Sequence, residues 1–567
     1  MDAMASYQAW LNNPLIDEDT KTELRGLAEN PREIEDRFYK WLEFGTGGLR
    51  GTMGAGTNRV NIYTIRLATQ ALAAVLKAEG RDKGVVIAYD SRRRSREFAQ
   101  AAAGVLVANG LPVYLFPEVA PTPLLSFAVR HLEAAAGLVI TASHNPPEYN
   151  GYKVYNEAGG QILSAEAAKI SSRLARLRLE EVQFAPDPLE HPLLSLVGDE
   201  VVEAYYHAVL SSVPPLEHSG ELGVLYTPLH GTGGRYVPEV LRRAGFRRVA
   251  VVPEQLKPDG DFPTVTSPNP EDGEAFALAF QQAAGKGCDL IIATDPDADR
   301  MGVAVRQGES WVLLNGNQMG VLLADYLLSR LEPPKLQGGV VVKTIVTTEM
   351  ILPLARRWGV EVLNTLTGFK YIGALMDRLP PAGKQFIFGF EESYGYLAGT
   401  YARDKDAVVA SLLAAQAAAF YAQRGLSLAQ RLEELFTAYG CYLQDVASYS
   451  FATSLEAERA RLFVQRLREK PLTTLAGEAV LEIRDYGRGV RWELATGREA
   501  PLDLPREDVL QWITEKGSKV SLRPSGTEPK MKLYLEVQGR SRGEAEERLF
   551  KLKAACHQLI VQGLAES

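Results

Sequence analysis

Three times along this chain an apolar run, long enough for one buried strand, ends in a polar cluster. Leu138-Val139-Ile140 leads into Thr141-Ala142-Ser143-His144-Asn145. The run 289–294 leads into Asp295-Pro296-Asp297-Ala298-Asp299-Arg300, and the run 385–390 into Glu391-Glu392-Ser393. Helical stretches with apolar periodicity separate these runs, among them 65–77, about 95–108 and 318–331. Strands alternating with helices over short connections specify an α/β architecture, its sheets covered on both faces. In such sheets ligands bind beyond the carboxyl ends of the strands. The similar size of the three blocks suggests an ancient repeat. From about 440 the texture changes to strands at 480–486, 519–523 and 530–537, closed by a helix at about 541–563. The predicted fold is therefore α/β: three similar α/β domains with mixed, mostly parallel sheets plus a C-terminal α+β domain, around a central cleft. The expected domains are 1–198, 199–316, 317–439 and 440–567.

At 567 residues the chain is too long for one core, which agrees with several domains. Its 62 basic and 70 acidic residues give a formal charge of −8, so no nucleic-acid partner and no affinity for an acidic membrane are expected. An anionic ligand would need local Arg and Lys. Three scattered cysteines, Cys288, Cys441 and Cys556, suit a reducing compartment rather than a disulfide or zinc framework. No signal peptide and no membrane-length apolar run stands out, and the expected location is cytoplasmic.

The candidate chemistry sits in the polar clusters. Pro146 and Pro147 forbid helix after Ser143, so that hydroxyl should be displayed in a loop, with His144, Asn145 and Lys153 close by. A serine so placed can be a nucleophile or a phosphoryl carrier. Asp295, Asp297 and Asp299 alternate along a short loop and can converge on one hard cation; all-oxygen ligands suit Mg²⁺ better than Zn²⁺. The glycine-rich span 44–56 permits close backbone approach to a ligand, and Arg50 within it can grip phosphate. Thr367, Gly368 and Lys370 in one stretch, and Glu391 and Ser393 in another, offer groups that hydrogen-bond sugar hydroxyls. Arg523, Ser525, Gly526, Thr527 and Lys530 have the composition of a phosphate cradle. Asp406 suits a helix cap. The run Arg92-Arg93-Arg94 reads as the solvated start of a helix, with one arginine free to face a cleft.

The Ser143 loop, the aspartate loop, the Glu391 loop and the Arg523 loop, in that order over nearly the whole chain, resemble the α-D-phosphohexomutases. That superfamily includes phosphoglucomutase and phosphomannomutase. The variant Glu391-Glu392-Ser393-Tyr394-Gly395-Tyr396, with Thr367-Gly368-Phe369-Lys370, resembles its phosphoglucomutase/phosphopentomutase branch. A histidine that phosphomannomutase-type members carry after the serine is absent here. The resemblance implies a phosphoserine at Ser143, Mg²⁺ on Asp295, Asp297 and Asp299 with Ser143, and Arg300 on the serine-borne phosphate. It implies sugar binding by Glu391 and Ser393, and capture of the substrate's distal phosphate by the Arg523 loop. Lys153, His144 and Lys343 are the candidates for proton transfer, Lys153 being favoured by the resemblance. The stretch Arg403-Asp404-Lys405-Asp406 also matches the family. The implied activity interconverts a sugar 1-phosphate and a sugar 6-phosphate, first of all those of glucose, with glucose 1,6-bisphosphate as intermediate and activator. Pentose and mannose phosphates are alternatives within the family, and a Mg²⁺-dependent sugar phosphatase is the alternative outside it. The expected partner is a small sugar phosphate, and the expected assembly a monomer or small homo-oligomer.

Overall fold

The computed structural model describes residues 2–45, 47–217, 219–451, 454–524 and 530–565. The chain packs as two compact units, Met1–Val340 with Phe369–Ser427, and Val341–Gly368 with Leu428–Ser567.

The first unit opens with three short helices, Ala3–Asn12, Glu18–Arg25 and Pro31–Phe38, each capped by a side chain (Asp2, Asp17, Asn30). Tyr7, Trp10, Leu24, Ile34 and Phe38 bury together with Tyr63, which anchors this segment to the first α/β block. Eleven strands then form two sheets. These are β1 (Gly48–Thr52), β2 (Val85–Tyr89), β3 (Val113–Leu115), β4 (Ala136–Ile140), β5 (Tyr149–Asn156), β6 (Leu194–Leu196), β7 (Gly223–Thr227), β8 (Arg248–Val251), β9 (Leu290–Thr294), β10 (Met301–Gln307) and β11 (Ser310–Leu314). The first sheet has the order β1-β5-β4-β2-β3-β6 and the second β11-β10-β9-β7-β8. Both sheets are mixed. Strands β4-β2-β3-β6 and β9-β7-β8 run parallel, while β5 and β1, and β10 and β11, add antiparallel edges.

The parallel strands β2, β4, β7 and β9 are buried along their whole length. Each buried Val, Leu or Ile contributes about 1.5–3 kcal/mol. A one-residue slip would exchange the faces of such a strand, so register is firmly set. The antiparallel edges arise where a strand leaves a polar loop and folds straight back. This happens at β4–β5, at β9–β10, and again at two further strands, Gln385–Phe390 and Tyr396–Ala398. Each of the three turns holds one non-glycine residue in the left-handed region: Ser143 (φ 53°), Ala298 (φ 50°) and Tyr394 (φ 65°). The three turns differ in length but share an antiparallel return and one left-handed residue. The helix Ala407–Ala422 is buried on nearly every side and starts at Asp406, whose carboxylate accepts from the N–H groups of Val408 and Val409.

The second unit is built on an antiparallel sheet in the order Cys441–Ser450, Lys530–Gly539, Lys519–Pro524, Leu510–Thr514, Glu478–Asp485, Val490–Glu493, Arg498–Pro501. Helices Ser454–Glu469 and Arg542–Ala565 accompany it. Among the described residues no helix is long and apolar enough to cross a membrane.

Candidate active site

The turn after β4 places Ser143 with its hydroxyl donating to Asp295 Oδ2 at 2.8 Å. His144 Nδ1 lies 3.2 Å from Ser143 Oγ. The β4–β5 register sets Val139 opposite Lys153, which brings the lysine to the same end of the sheet. Its ammonium donates to Asp297 Oδ2 at 2.7 Å and to Asp299 Oδ2 at 3.2 Å. Arg50, on the neighbouring edge strand β1, reaches Asn145 Oδ1 at 3.3 Å.

The aspartate loop is gripped from several sides. Asp295 Oδ1 accepts from the N–H groups of Asp299 and Arg300 at 3.0 and 2.9 Å, which closes the turn. Pro296 C=O accepts from Thr232 N–H at 2.8 Å, and Asp297 C=O from Thr122 N–H at 2.9 Å. The Thr122 hydroxyl also donates to Asp297 Oδ2 at 2.8 Å. Ala298 C=O accepts from Ala407 N–H, and Met301 N–H donates to Tyr394 C=O in the third turn. Gly231 packs so closely that a Cβ there would lie 2.5 Å from Pro296 Cα.

All three aspartates are buried, and one oxygen from each lies within 4.8 Å of the others. Asp297 Oδ1 and Asp299 Oδ1 are buried without a hydrogen-bond donor. Oxygen atoms desolvated in this way are costly unless a cation takes them. An all-carboxylate set with two unused oxygens therefore fits a hard divalent ion, and this group could bind a metal. The protein's own cations offset part of the charge. Lys405 donates to Asp299 Oδ2 at 2.8 Å, and Arg300 pairs with Glu271. Burial, then the carboxylates of Asp299 and Asp297, pushes Asp295 well above the usual range. Burial works in the same sense on Asp299, but Lys153, Lys405 and Arg300 outweigh it and hold that group far below its ordinary value. Lys153 and Lys405 are raised against their own burial by these aspartates, so both remain ammonium ions. His144 is driven well down by burial and by the charges of Arg300 and Arg50, and is a neutral imidazole.

Glu391 is buried in the third turn, its N–H donating to Gly395 C=O at 2.9 Å, and its charge acts on both Arg300 and Lys405. Ser393 lies half-buried in the same turn. Lys370 is half-buried, with its ammonium 5.1 Å from the Tyr371 ring centre. The remaining expected residues lie in the second unit. Thr367 and Gly368 end its first stretch. Lys343 is fully buried, donating to Glu349 Oε1 at 3.0 Å and to the carbonyls of Thr344 and Thr347. Burial lowers it to about 8, against the pull of Glu349. Lys519 joins the same Glu349 oxygen at 2.7 Å. Arg523 is paired with Glu507 at 2.7 Å, and Lys530 begins the strand that follows. Ser525, Gly526 and Thr527 lie outside the described residues.

Sequence reading gave no site role to Lys405, Thr122 or Glu271. Lys405 had a signal, its place in the stretch 403–406. Thr122 lies 175 positions from its partner, and no local pattern carries such a contact.

Known proteins similar to this chain belong to one family. Residues 42–181, 203–308 and 315–439 match the family models for α/β/α domains I, II and III of phosphoglucomutase/phosphomannomutase. A Staphylococcus saprophyticus phosphoglucomutase is 36% identical over 93% of this chain and 96% of its own. A Staphylococcus epidermidis phosphoglucomutase is 37% identical over 90% and 93%. The solved structure of a Thermus thermophilus protein assigned as a phosphomannomutase superposes with a TM-score of 0.69 at 27% identity, covering 92% of this chain and 99% of that one.

Proposed function

The chain belongs to the phosphoglucomutase/phosphomannomutase family, and from that premise we propose that it interconverts glucose 1-phosphate and glucose 6-phosphate through a phosphoryl group carried on Ser143. The observation that carries this reading is the Ser143 hydroxyl, 2.8 Å from a buried trio of aspartates that still has two oxygens to offer.

Asp295, Asp297 and Asp299 would hold Mg²⁺, which would supply charge withdrawal at the phosphoryl group. The rest is done by side chains. Lys153 and Arg300 offset the charge on the phosphoryl group, and a sugar hydroxyl attacks phosphorus. The P–O bond to Ser143 Oγ breaks as the bond to the sugar forms; the sugar hydroxyl releases its proton and Ser143 Oγ takes one up. The neutral imidazole of His144, with Nδ1 3.2 Å from that oxygen, can take the Ser143 proton when the hydroxyl attacks and return it, as an imidazolium, when the bond to Ser143 Oγ breaks. Lys153, held as an ammonium by two carboxylates, acts by charge and hydrogen bonding. Most of the barrier is lowered by position and electrostatics, as in other phosphoryl transfers. Glucose 1,6-bisphosphate forms, turns over, and returns its other phosphate to Ser143. Glu391 and Ser393 contact sugar hydroxyls. Arg523 and Lys530 bind phosphate, which would take the place of Glu507 on Arg523.

The test is a glucose 6-phosphate assay run beside a phosphate-release assay, with Mg²⁺ and catalytic glucose 1,6-bisphosphate. Isomerisation stimulated by the bisphosphate, with little free phosphate, is the expected outcome. Phosphate release in step with loss of the 1-phosphate would mean a phosphatase instead.

A further inference from the structure

Ser143 sits in a backbone conformation that serine disfavours, with φ 53°. A left-handed residue with a side chain costs about 1–2 kcal/mol, and it persists only where its surroundings over-determine it. The surroundings of Ser143 converge on one arginine outside the reacting groups. Arg92 Nη2 donates to Ser143 C=O at 2.6 Å and to Asn145 C=O, while Nη1 donates to Pro146 C=O at 2.8 Å and Tyr149 C=O at 3.1 Å. Arg92 Nε lies 3.3 Å from Asp90 Oδ2, and both side chains are fully buried. The same Asp90 oxygen accepts from the Thr141 hydroxyl at 2.6 Å, and that hydroxyl accepts from Ser143 N–H at 2.8 Å. Asp90 Oδ1 is held by the Ser95 hydroxyl and by Arg92 N–H. The Phe262 ring lies 5.1 Å from the guanidinium and screens it from water.

Its neighbours Arg93 and Arg94 behave as the sequence suggests, exposed and paired with Asp261 and Glu97. Arg92 does not. A buried guanidinium must satisfy its donors, and Arg92 spends both Nη nitrogens on one loop of seven residues, 143–149. Lysine could not do this, having a point charge in place of a planar fork.

We propose that Asp90 and Arg92 form a positioning pair for Ser143: Arg92 holds its C=O directly and Asp90 holds its N–H through the Thr141 hydroxyl, and together they fix the left-handed turn and so aim the hydroxyl at the Asp295 side of the site. This rests on Ser143 being the phosphoryl carrier. Arg92 touches neither substrate nor phosphorus, and its effect is on the rate of transfer rather than on sugar binding. A reacting atom misplaced by about 1 Å loses about 10²-fold in rate.

The test compares wild type with Arg92→Ala, Arg92→Lys and Thr141→Val. Each is measured for kcat and KM on glucose 1-phosphate, and for the rate at which labelled glucose 1,6-bisphosphate phosphorylates Ser143. Arg92→Ala should lose about 10²-fold in kcat and in phosphorylation rate with KM unchanged, Arg92→Lys should not recover it, and millimolar methylguanidinium should restore part of it. Thr141→Val, which removes the hydroxyl linking Asp90 to Ser143 N–H and leaves the Arg92 bonds to the loop in place, should show the same kcat-only loss, smaller in size, and serves alone if Arg92→Ala does not fold. Wild-type phosphorylation rates in the variants, or losses that methylguanidinium leaves untouched and that simply follow a lowered Tm, would overturn the pairing. An unlabelled but active wild type would instead overturn the carrier role of Ser143.

Discussion

Replacing Lys405 by methionine tests the charge balance of the aspartate cluster. Methionine keeps the length of the side chain and removes its charge. Lys405 is 13% exposed, and its ammonium lies 2.8 Å from Asp299 Oδ2 and 3.4 Å from Asp404 Oδ1. Removing one partner of a buried pair costs about 3–5 kcal/mol, because the other charge stays behind. Lys153 still sits 3.2 Å from Asp299 Oδ2, so the lower end of that range applies. The first unit has roughly 400 residues, and at about 2.1 cal/mol/K per residue its unfolding entropy is about 0.8 kcal/mol/K, so a loss of about 3 kcal/mol lowers Tm by about 4 °C. Saturating Mg²⁺ supplies the missing counter-charge to Asp299. The deficit should then shrink to about 1–2 °C, because the ion binds the variant, whose Asp299 has lost Lys405, more tightly than wild type and so stabilises it more. Scanning calorimetry of both proteins in EDTA and in Mg²⁺ measures this. An equal Tm deficit in the two conditions would refute the idea that Lys405 and the metal share the charge of one carboxylate.

Three further outcomes follow from the same site. Thr122→Val removes the hydroxyl that orients Asp297 Oδ2 but keeps the N–H bond to Asp297 C=O, and should raise the Mg²⁺ concentration for half-maximal activity about tenfold; an unchanged Mg²⁺ titration would contradict it. Gly231→Ala drives a methyl against Pro296 backbone and should lower both Tm and Mg²⁺ affinity, whereas a variant equal to wild type in both would mean the loop yields freely. Asp406 is pushed up from 3.8 to about 6 by burial, against donation by Tyr401, Tyr205, Val408 N–H and Val409 N–H. A carboxyl raised in the folded state is fully tolerated below its unfolded pKa and costs stability as it ionises. Stability should therefore fall between pH 3.8 and about 6, by about 3 kcal/mol once Asp406 is ionised. Asp406→Asn should flatten that part of the Tm–pH curve, and parallel curves for the two proteins would show that Asp406 is not responsible.

What the sequence carried plainly was local. Apolar strands ending in Ser143, in Asp295–Asp299 and in Glu391 could be seen because each motif is contiguous and each strand is apolar throughout. The antiparallel return strands were harder. Tyr149–Asn156 mixes buried tyrosine and valine with polar residues, and it follows the Ser143 loop with no helix between, which hides its antiparallel pairing with the strand before that loop. Arg92 was unreadable in another way. In sequence it is one of three adjacent arginines, and only the loop folding back over it separates a buried fork from two solvated neighbours. Lys343 and Lys153 look alike as lone lysines within strands. The structure gives the first to Glu349 within the second unit and the second to Asp297 and Asp299, and neither partner is encoded within ten residues of Lys153.

The central claim concerns one oxygen atom, Ser143 Oγ. Enzyme incubated briefly with glucose 1,6-bisphosphate labelled in both phosphates, quenched and mapped by peptide mass spectrometry, reads it directly. Label is expected on Ser143, lost again on adding glucose 1-phosphate or glucose 6-phosphate at a rate no slower than kcat. Full mutase turnover with Ser143 never labelled, or with label on another side chain, would contradict it.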